Sequence, residues 1–365
     1  VSQFFADDLL QWYRNNKRDL PWRNTDDPYK IWISEIMLQQ TRVDTVIPYY
    51  HRFLEAFPTV HELAEASQQQ VLKLWEGLGY YSRGRNLHQA AKMVSGQYNG
   101  QVPADYDEIR KLKGIGPYSA AAILSIAYNK QYAVVDGNVI RVFSRYFGIE
   151  SDVRLQSTKN QVQQYADDMI PESHSGDFNQ AVMELGATVC TPANPLCDSC
   201  PLSSGCVAYN SAKTDILPYK SKAKKIPHHE IAVGIIVNVQ GELLIALRPN
   251  DVMLGGLWEF PGGKREKGET LKQTVARELR EELGVEVNVH TMYHKLKHAY
   301  SHFKITLHAY WCSIASGDPK PVGSKEIKWV SLDDIHSYPF PKANKVLIDG
   351  FTELDPAKLK QLTGQ

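Results

Sequence analysis

Residues 110–142 constrain this chain more than any other stretch. Lys111-Leu112-Lys113 leads into Gly114-Ile115-Gly116, and from Tyr118 an Ala-rich run carrying Ile123, Leu124 and Ile126 has the composition of a buried helix. Two glycines around one aliphatic residue let the backbone turn tightly and present bare N–H groups, and the next helix adds the positive end of its dipole. Such a corner suits an anion, although a Gly-x-Gly alone is more often just a corner between helices. Asp136 changes the balance. It lies between Val134-Val135 and Gly137-Asn138-Val139, and an acid on an apolar run needs a chemical reason.

With 365 residues, the chain has room for about two or three domains, and 43% hydrophobic residues suffice for their cores. Lys+Arg 41 balances Asp+Glu 41, so any surface for nucleic acid must be local. There is no signal-peptide core and no apolar run long enough to span a membrane, so the expectation is a cytoplasmic protein.

In chain order, an amphipathic helix with Phe4, Leu9, Leu10, Trp12 and Tyr13 breaks at Asp19-Leu20-Pro21-Trp22-Arg23. In Ile31-Trp32-Ile33-Ser34-Glu35-Ile36-Met37-Leu38-Gln39-Gln40-Thr41, Glu35 has apolar neighbours on both sides. Desolvation there raises a carboxyl pKa and keeps a proton available, unless the acid is paired or faces water. Helices around Val71–Trp75 and Leu87–Val94 flank Gly77-Leu78-Gly79-Tyr80-Tyr81-Ser82-Arg83-Gly84-Arg85, whose aromatic pair and two arginines suit a loop that wedges between bases and pairs with phosphate. Cys190, Cys197, Cys200 and Cys206 give C-x6-C-x2-C-x5-C. An intracellular setting disfavours disulfides, while spacing alone leaves zinc open. The basic, proline-bounded stretch 217–227 reads as a linker, either near DNA or simply solvated. Ile231–Val239 and Leu243–Leu247 then read as strands about Gln240-Gly241. Glu278, Glu281 and Glu282 fall at i, i+3 and i+4, one helical face, where carboxylates can converge on magnesium. A charged solvated helix is the plainer alternative. His294, His298 and His302 lie in a strand-and-loop pattern that argues against a shared metal.

Leu112-Lys113-Gly114-Ile115-Gly116-Pro117-Tyr118, followed by Val135-Asp136-Gly137-Asn138-Val139, resembles the helix–hairpin–helix and catalytic Asp of the endonuclease III superfamily of DNA glycosylases. Within it, the chain looks most like the adenine glycosylase (MutY) family. Gly263, Glu269 and Arg277-Glu278-Leu279-Arg280-Glu281-Glu282-Leu283-Gly284-Val285 spell a complete Nudix box, similar to that of the MutT 8-oxo-dGTP pyrophosphohydrolases.

The resemblance implies an all-α helix–hairpin–helix glycosylase with an iron–sulfur loop over residues 1–214, in a six-helix lobe about 23–119 and a cluster lobe from the rest. A linker at 215–228 and an α/β Nudix-like domain at 229–365 would follow. The implied substrate is double-stranded DNA with adenine opposite 8-oxoguanine, or opposite guanine, met by a cytoplasmic, nucleoid-associated monomer without a membrane partner. Glu35 would protonate adenine, Asp136 would stabilise positive charge on the sugar, and Tyr118 and Asn138 would position the acids. Tyr118 stands where strand-cleaving relatives carry a catalytic lysine, so base excision without efficient lyase chemistry is expected. Trp22, Arg23 and either Gln180 or Glu184 would line the adenine pocket. Leu38, Gln40, Thr41, Leu78, Tyr80, Lys113, Gly114 and Gly116 would meet DNA. Tyr300 would wedge beside the lesion while Ser301 and His302 donate to features that guanine lacks. Cys190, Cys197, Cys200 and Cys206 would hold a 4Fe–4S cluster. The family's C-terminal domain usually has a decayed Nudix box. Here it is intact, which raises the alternative of a second activity, magnesium-dependent hydrolysis of 8-oxo-dGTP through Glu278, Glu281 and Glu282.

Overall fold

A computed structural model describes residues 2–222, 226–300, 302–351 and 354–364, the side chains of residues 2–4 lying outside that description. Phe4 and Ser301 therefore fall outside it as side chains. The helices are α1 (Ser2–Asn16), α2 (Pro28–Leu38), α3 (Val43–Ala56), α4 (Val60–Glu65), α5 (Gln68–Trp75), α6 (Ser82–Gln97), α7 (Tyr106–Arg110), α8 (Pro117–Tyr128), α9 (Gly137–Tyr146), α10 (Gln156–Met169), α11 (Ser175–Thr188) and α12 (Val207–Asn210). After them come β1 (His228–Ile236), β2 (Leu243–Leu247), β3 (Trp258–Glu259), β4 (Gly262–Lys264), α13 (Leu271–Leu283), β5 (Glu286–Ala299), β6 (Lys304–Ser316), β7 (Glu326–Val330), α14 (Lys342–Asp349) and α15 (Pro356–Leu362). The chain divides into two units, residues 1–65 with 86–223 and residues 66–85 with 224–365.

The first unit is helical. Asp27 starts α2 by accepting from Tyr29 N, with Pro28 at the first helical position. Tyr29 and every residue from Ile31 to Met37 are buried, so α2 is enclosed all round and Glu35 has no watery side to turn to. A second core joins Phe5, Leu9 and Tyr13 of α1 to Phe143 of α9, Val162 of α10, and Phe178 and Leu185 of α11. Gly186 lets α11 approach closely, because a Cβ there would lie 2.6 Å from Asn138 Cβ. Residues 215–222 do not hang free as a tether. Leu217 is buried, its carbonyl accepts from Arg145 Nε at 2.8 Å, and Val153 N donates to Tyr219 O at 3.1 Å.

The second unit holds two sheets, in the orders β4-β1-β6-β5 and β3-β2-β7. β1 runs parallel to β6, with Ile231 opposite Leu307 and Ile235 opposite Trp311. Helix α13 covers one face through Val275, Leu279 and Leu283 on Ala232, Ile236 and Cys312. The other face packs on Trp258, Phe260, Leu347 and Leu359. The two strands expected about Gln240-Gly241 are present as β1 and β2. β1 ends at Ile236, and beyond the single Val237–Leu243 bridge the two strands enter different sheets. All five residues of β2 are buried, so it needs partners and cover that an edge hairpin would not supply, and β3 and β7 flank it.

Candidate active site

In the first unit, α2, α8, α9, α11 and the connection after α1 enclose a cavity of about 180 Å³ lined by Arg18, Trp22, Glu35, Tyr118, Asp136, Gln180 and Glu184. An apolar cavity of about 150 Å³ takes up benzene, so this one has the scale of a single planar ring system. Glu35 is 6% exposed. Burial, and then the charge of Asp136, push its pKa up to about 7, with Arg23 pulling the other way. A carboxyl group so placed holds its proton in a substantial fraction of molecules at neutral pH.

Asp136 caps α9. Its Oδ1 accepts from Asn138 N and Val139 N, both at 2.8 Å, and its Oδ2 accepts from Asn138 Nδ2 at 2.8 Å. Burial raises its pKa, while these hydrogen bonds and Arg141 oppose the rise. The outcome is a carboxylate fixed in rotation at the positive end of a helix. Asn138 is held in turn, its Oδ1 accepting from Arg141 Nη2 at 2.7 Å. Arg141 also donates to Gly186 O at 2.6 Å and Cys190 O at 2.7 Å, so the acid's support extends to the cysteine loop.

Tyr118 behaves differently from expectation. Its hydroxyl points to Met183 Sδ at 3.8 Å and bonds neither acid, although both acids and its burial raise its pKa well above the usual value. Of the two candidates on α11, Glu184 is committed elsewhere. Its oxygens take Arg18 Nε at 2.8 Å, Arg18 Nη2 at 2.7 Å and Arg23 Nη2 at 2.8 Å. Burial works against its charge, but these guanidinium bonds win and hold its pKa at about 2. Gln180 lines the cavity with no side-chain partner among the described residues, so it is the side chain on α11 that can meet a base edge. Trp22 is buried edge-on to Tyr50, and Leu38 and Thr41 also line the cavity. Gln40 is exposed beside it on a left-handed backbone, φ +57°. Arg18, Met183 and Arg141 were not foreseen. Arg18 sits in a charged loop that reads as solvated, and its partner is 166 residues away.

The α7–α8 turn places Lys113 on the surface and Gly114 at φ +82°, where a Cβ would lie 2.7 Å from Asn86 Cβ. Gly116 starts α8 without a side-chain cap, and a Cβ on it would meet nothing within 4 Å. The N–H groups of the helix start thus face open space.

Cys190, Cys197, Cys200 and Cys206 lie near enough to influence one another's ionisation. Burial raises the pKa values of Cys197, Cys200 and Cys206, Cys200 to about 11, and the neighbouring thiols add to the rise. Arg145, 2% exposed, donates to Cys190 Sγ at 3.3 Å and Thr191 O at 2.8 Å, with no carboxylate in ion-pair reach among the described residues. A buried guanidinium in that position suits a negative neighbour, which thiolates at the cysteines would supply. Among the described residues no three His, Cys, Asp or Glu side chains stand close enough to share one metal ion.

The second unit corrects several expectations. Gly77 and Gly79, at φ +100° and +73°, fold their loop so that Leu78 turns inward, 6% exposed, while Tyr80 stays 39% exposed. Leu78 therefore packs into the interior of the free protein. Arg83 and Arg85 are not free for phosphate. Arg83 lies between Trp75 and Tyr80 and donates to Gly79 O at 3.1 Å, and Arg85 donates to Asn250 O at 3.2 Å and to Gly255 O. Tyr80, Tyr300 and His302 line one cavity of about 410 Å³, with Tyr300 edge-on to His298. Ser301 lies outside the described residues. On α13 the three glutamates share a face but do not converge. Arg277 pairs with Glu269 at 2.6 Å, Glu278 at 3.0 Å and Glu281 at 3.1 Å, while Glu282 accepts from Gly262 N at 3.1 Å. The guanidinium stands where the expected magnesium site required a cation.

Residues 33–172 match the HhH-GPD superfamily of base excision DNA repair proteins, and residues 232–350 match the NUDIX domain. The adenine DNA glycosylase of Rattus norvegicus is 34% identical over 96% of this chain and 78% of its own length. That of Buchnera aphidicola (subsp. Schizaphis graminum) is 30% identical over 95% of this chain and 98% of its own. Among solved structures, a thermostable thymine-DNA glycosylase is 30% identical with a TM-score of 0.52, covering 57% of this chain and 97% of its own. A trapped endonuclease III–DNA covalent intermediate, 23% identical with a TM-score of 0.50 over 58% of this chain and 98% of its own, shares the helical fold. Sequence likeness over almost the whole length, with both domain matches in the same order, shows that the chain belongs to the adenine DNA glycosylase family.

Proposed function

We propose that this chain removes adenine paired with 8-oxoguanine, or with guanine, from duplex DNA by hydrolysing the N-glycosidic bond. The observation that carries the reading is the pairing of unlike acids at one ring-sized cavity, a desolvated Glu35 that retains its proton near neutral pH and an Asp136 fixed by three hydrogen bonds. An adenine turned out of the helix would enter beside Trp22 and Gln180, and a mispair is the easier to open. Glu35 would protonate the base so that it leaves neutral, Asp136 would stabilise the positive charge growing at the sugar, and water would complete the hydrolysis. Lys113, Gly114 and Gly116 would hold a backbone phosphate, with Gln40 filling the opened duplex. Cys190, Cys197, Cys200 and Cys206 would hold a 4Fe–4S cluster as thiolates, its chemistry here being to fix the loop, and Arg145 would balance its charge. In the second unit Tyr80, Tyr300, Ser301 and His302 would meet the 8-oxoguanine.

The test is the single-turnover rate of adenine release from duplexes carrying adenine opposite 8-oxoguanine, guanine or thymine. The rates should fall in that order, with thymine unreactive. Equal rates on all three would rule out lesion recognition. Ion pairs of Arg277 with Glu269, Glu278 and Glu281 favour a structural role for the intact Nudix box.

A further inference from the structure

Tyr80 and Leu254 hold left-handed backbones, φ +49° and +59°, although neither is glycine. Strain of this kind gathers at binding sites. Both side chains line the same cavity in the second unit, beside Tyr300, Phe303 and Lys342. They come from segments far apart in sequence, joined by a seam of hydrogen bonds. Arg85 donates through Nη1 to Gly255 O and through Nη2 to Asn250 O at 3.2 Å. Gln68 Nε2 donates to Asn250 Oδ1 at 2.9 Å. Gln69 Nε2 donates to Gly256 O at 3.0 Å, and its Oε1 accepts from Trp258 Nε1 at 3.0 Å. The seam is tight, because at Gly256, φ +76°, a Cβ would stand 2.8 Å from Gln68 Nε2 and 2.9 Å from Asn250 Oδ1.

Arg85 is the member of the seam that also lines the cavity. It is half-buried, its recorded partners are neutral carbonyls, and no carboxylate lies within ion-pair reach among the described residues. A guanidinium used only for counter-charge would pair with an acid. One that grips two carbonyls of a single loop with its planar fork sets that loop's shape. Tyr80 and Met253, 39% and 47% exposed, leave apolar surface at the cavity rim that a stacked nucleobase would cover.

We propose that Arg85 is a positioning residue for recognition of the base opposite the excised adenine: it fixes residues 250–256 so that Leu254 and Tyr80 form the two strained walls of one mould for an oxidised purine. The proposal rests on the reading that this cavity meets 8-oxoguanine. The wedge and the lesion reader are then built as one piece, and Arg85 acts through Leu254 and Tyr80 without touching phosphate.

The test uses the full-length protein and the ratio of single-turnover rates for adenine opposite 8-oxoguanine and opposite guanine. Wild type should favour 8-oxoguanine. Arg85→Gln should cut that preference at least tenfold, mainly by slowing the 8-oxoguanine duplex, and Arg85→Lys, which keeps the charge but loses the fork, should fall between. Gly256→Ala strains the same seam from the other side and should mimic Arg85→Gln. In a Tyr80→Ala background, Arg85→Gln should change the preference less than threefold, because both act on one mould and it is already open on one side. The proposal is overturned if Arg85→Gln slows both duplexes by the same factor, as loss of a phosphate contact or of the fold would, or if the preference survives intact in both Arg85 variants. A wild type without any preference would instead sink the underlying reading of the cavity.

Discussion

In the proposed reaction Glu35 must keep a proton until the base accepts it, and its surroundings make that possible. Its folded pKa, about 7 against an ordinary 4.5, is raised first by burial. The folded state therefore favours the protonated form, and the cost of ionising it grows as pH rises from 4.5 and is complete above about 7. A difference of that size corresponds to about 3 kcal/mol. Glu35→Gln should accordingly abolish adenine release yet leave stability nearly unchanged at pH 4.5 and raise it by up to about 3 kcal/mol at pH 8, as read by urea denaturation at both values. The same pKa predicts that wild-type single-turnover rates decline as pH rises through about 7. Glu184 has the opposite sign. Its folded pKa of about 2 lies below the ordinary 4.5, so the stability it contributes is present above 4.5 and is lost as pH falls toward 2. Glu184→Gln leaves Arg18 and Arg23 without their anion and should cost about 3 kcal/mol, together with a slower reaction as Arg23 leaves its place at the cavity.

At the scale of elements, the α7–α8 turn offers a paired test. Gly114 needs its glycine for the fold, with φ +82° and Asn86 Cβ in the way. Gly116 has open space around it. Gly114→Ala should therefore lower stability by about 1–2 kcal/mol. Gly116→Ala should fold normally yet weaken duplex binding severalfold in a titration, because a methyl group would stand where the phosphate must approach. Unchanged affinity in Gly116→Ala would remove the phosphate from this turn. What was legible at this scale followed from local signals. The apolar surroundings of Glu35 and the Gly-x-Gly before an Ala-rich helix are written within a few residues of each other. Arg85 was misleading because nothing local shows that a carbonyl 170 residues away takes the guanidinium, and Arg83 because the turn of its own loop brings it onto Trp75 and Gly79 O. The burial of Leu78 was not legible either, since the positive φ values of Gly77 and Gly79 decide which neighbour turns outward. The strands β1 and β2 were legible, but their division between two sheets was not, because it depends on partner strands much later in the chain.

For the whole molecule, the proposed function assigns the two units to different parts of the reaction. Residues 66–85 precede most of the catalytic unit in sequence but pack with the C-terminal one, and no change in composition marks those boundaries. The glutamates of α13 show the limit of motif reading. Their spacing is that of a metal site, while Arg277, one residue before the first of them, ties two of the three down. The cysteine loop links back to chemistry through Arg141, which bonds both Cys190 O and Asn138 Oδ1. Cys197→Ser should therefore lower iron and sulfide content, weaken the visible charge-transfer absorbance and loosen DNA binding, with all three measured on one preparation. Full iron content in Cys197→Ser would show that the cluster assignment is wrong. The most direct measurement of the central claim is free adenine released from a duplex with one adenine opposite 8-oxoguanine, by wild type, Glu35→Gln and Asp136→Asn side by side. The account predicts release by wild type and a loss of at least a thousandfold in each variant, with duplex binding retained. Release by either variant at more than a tenth of the wild-type rate would contradict it.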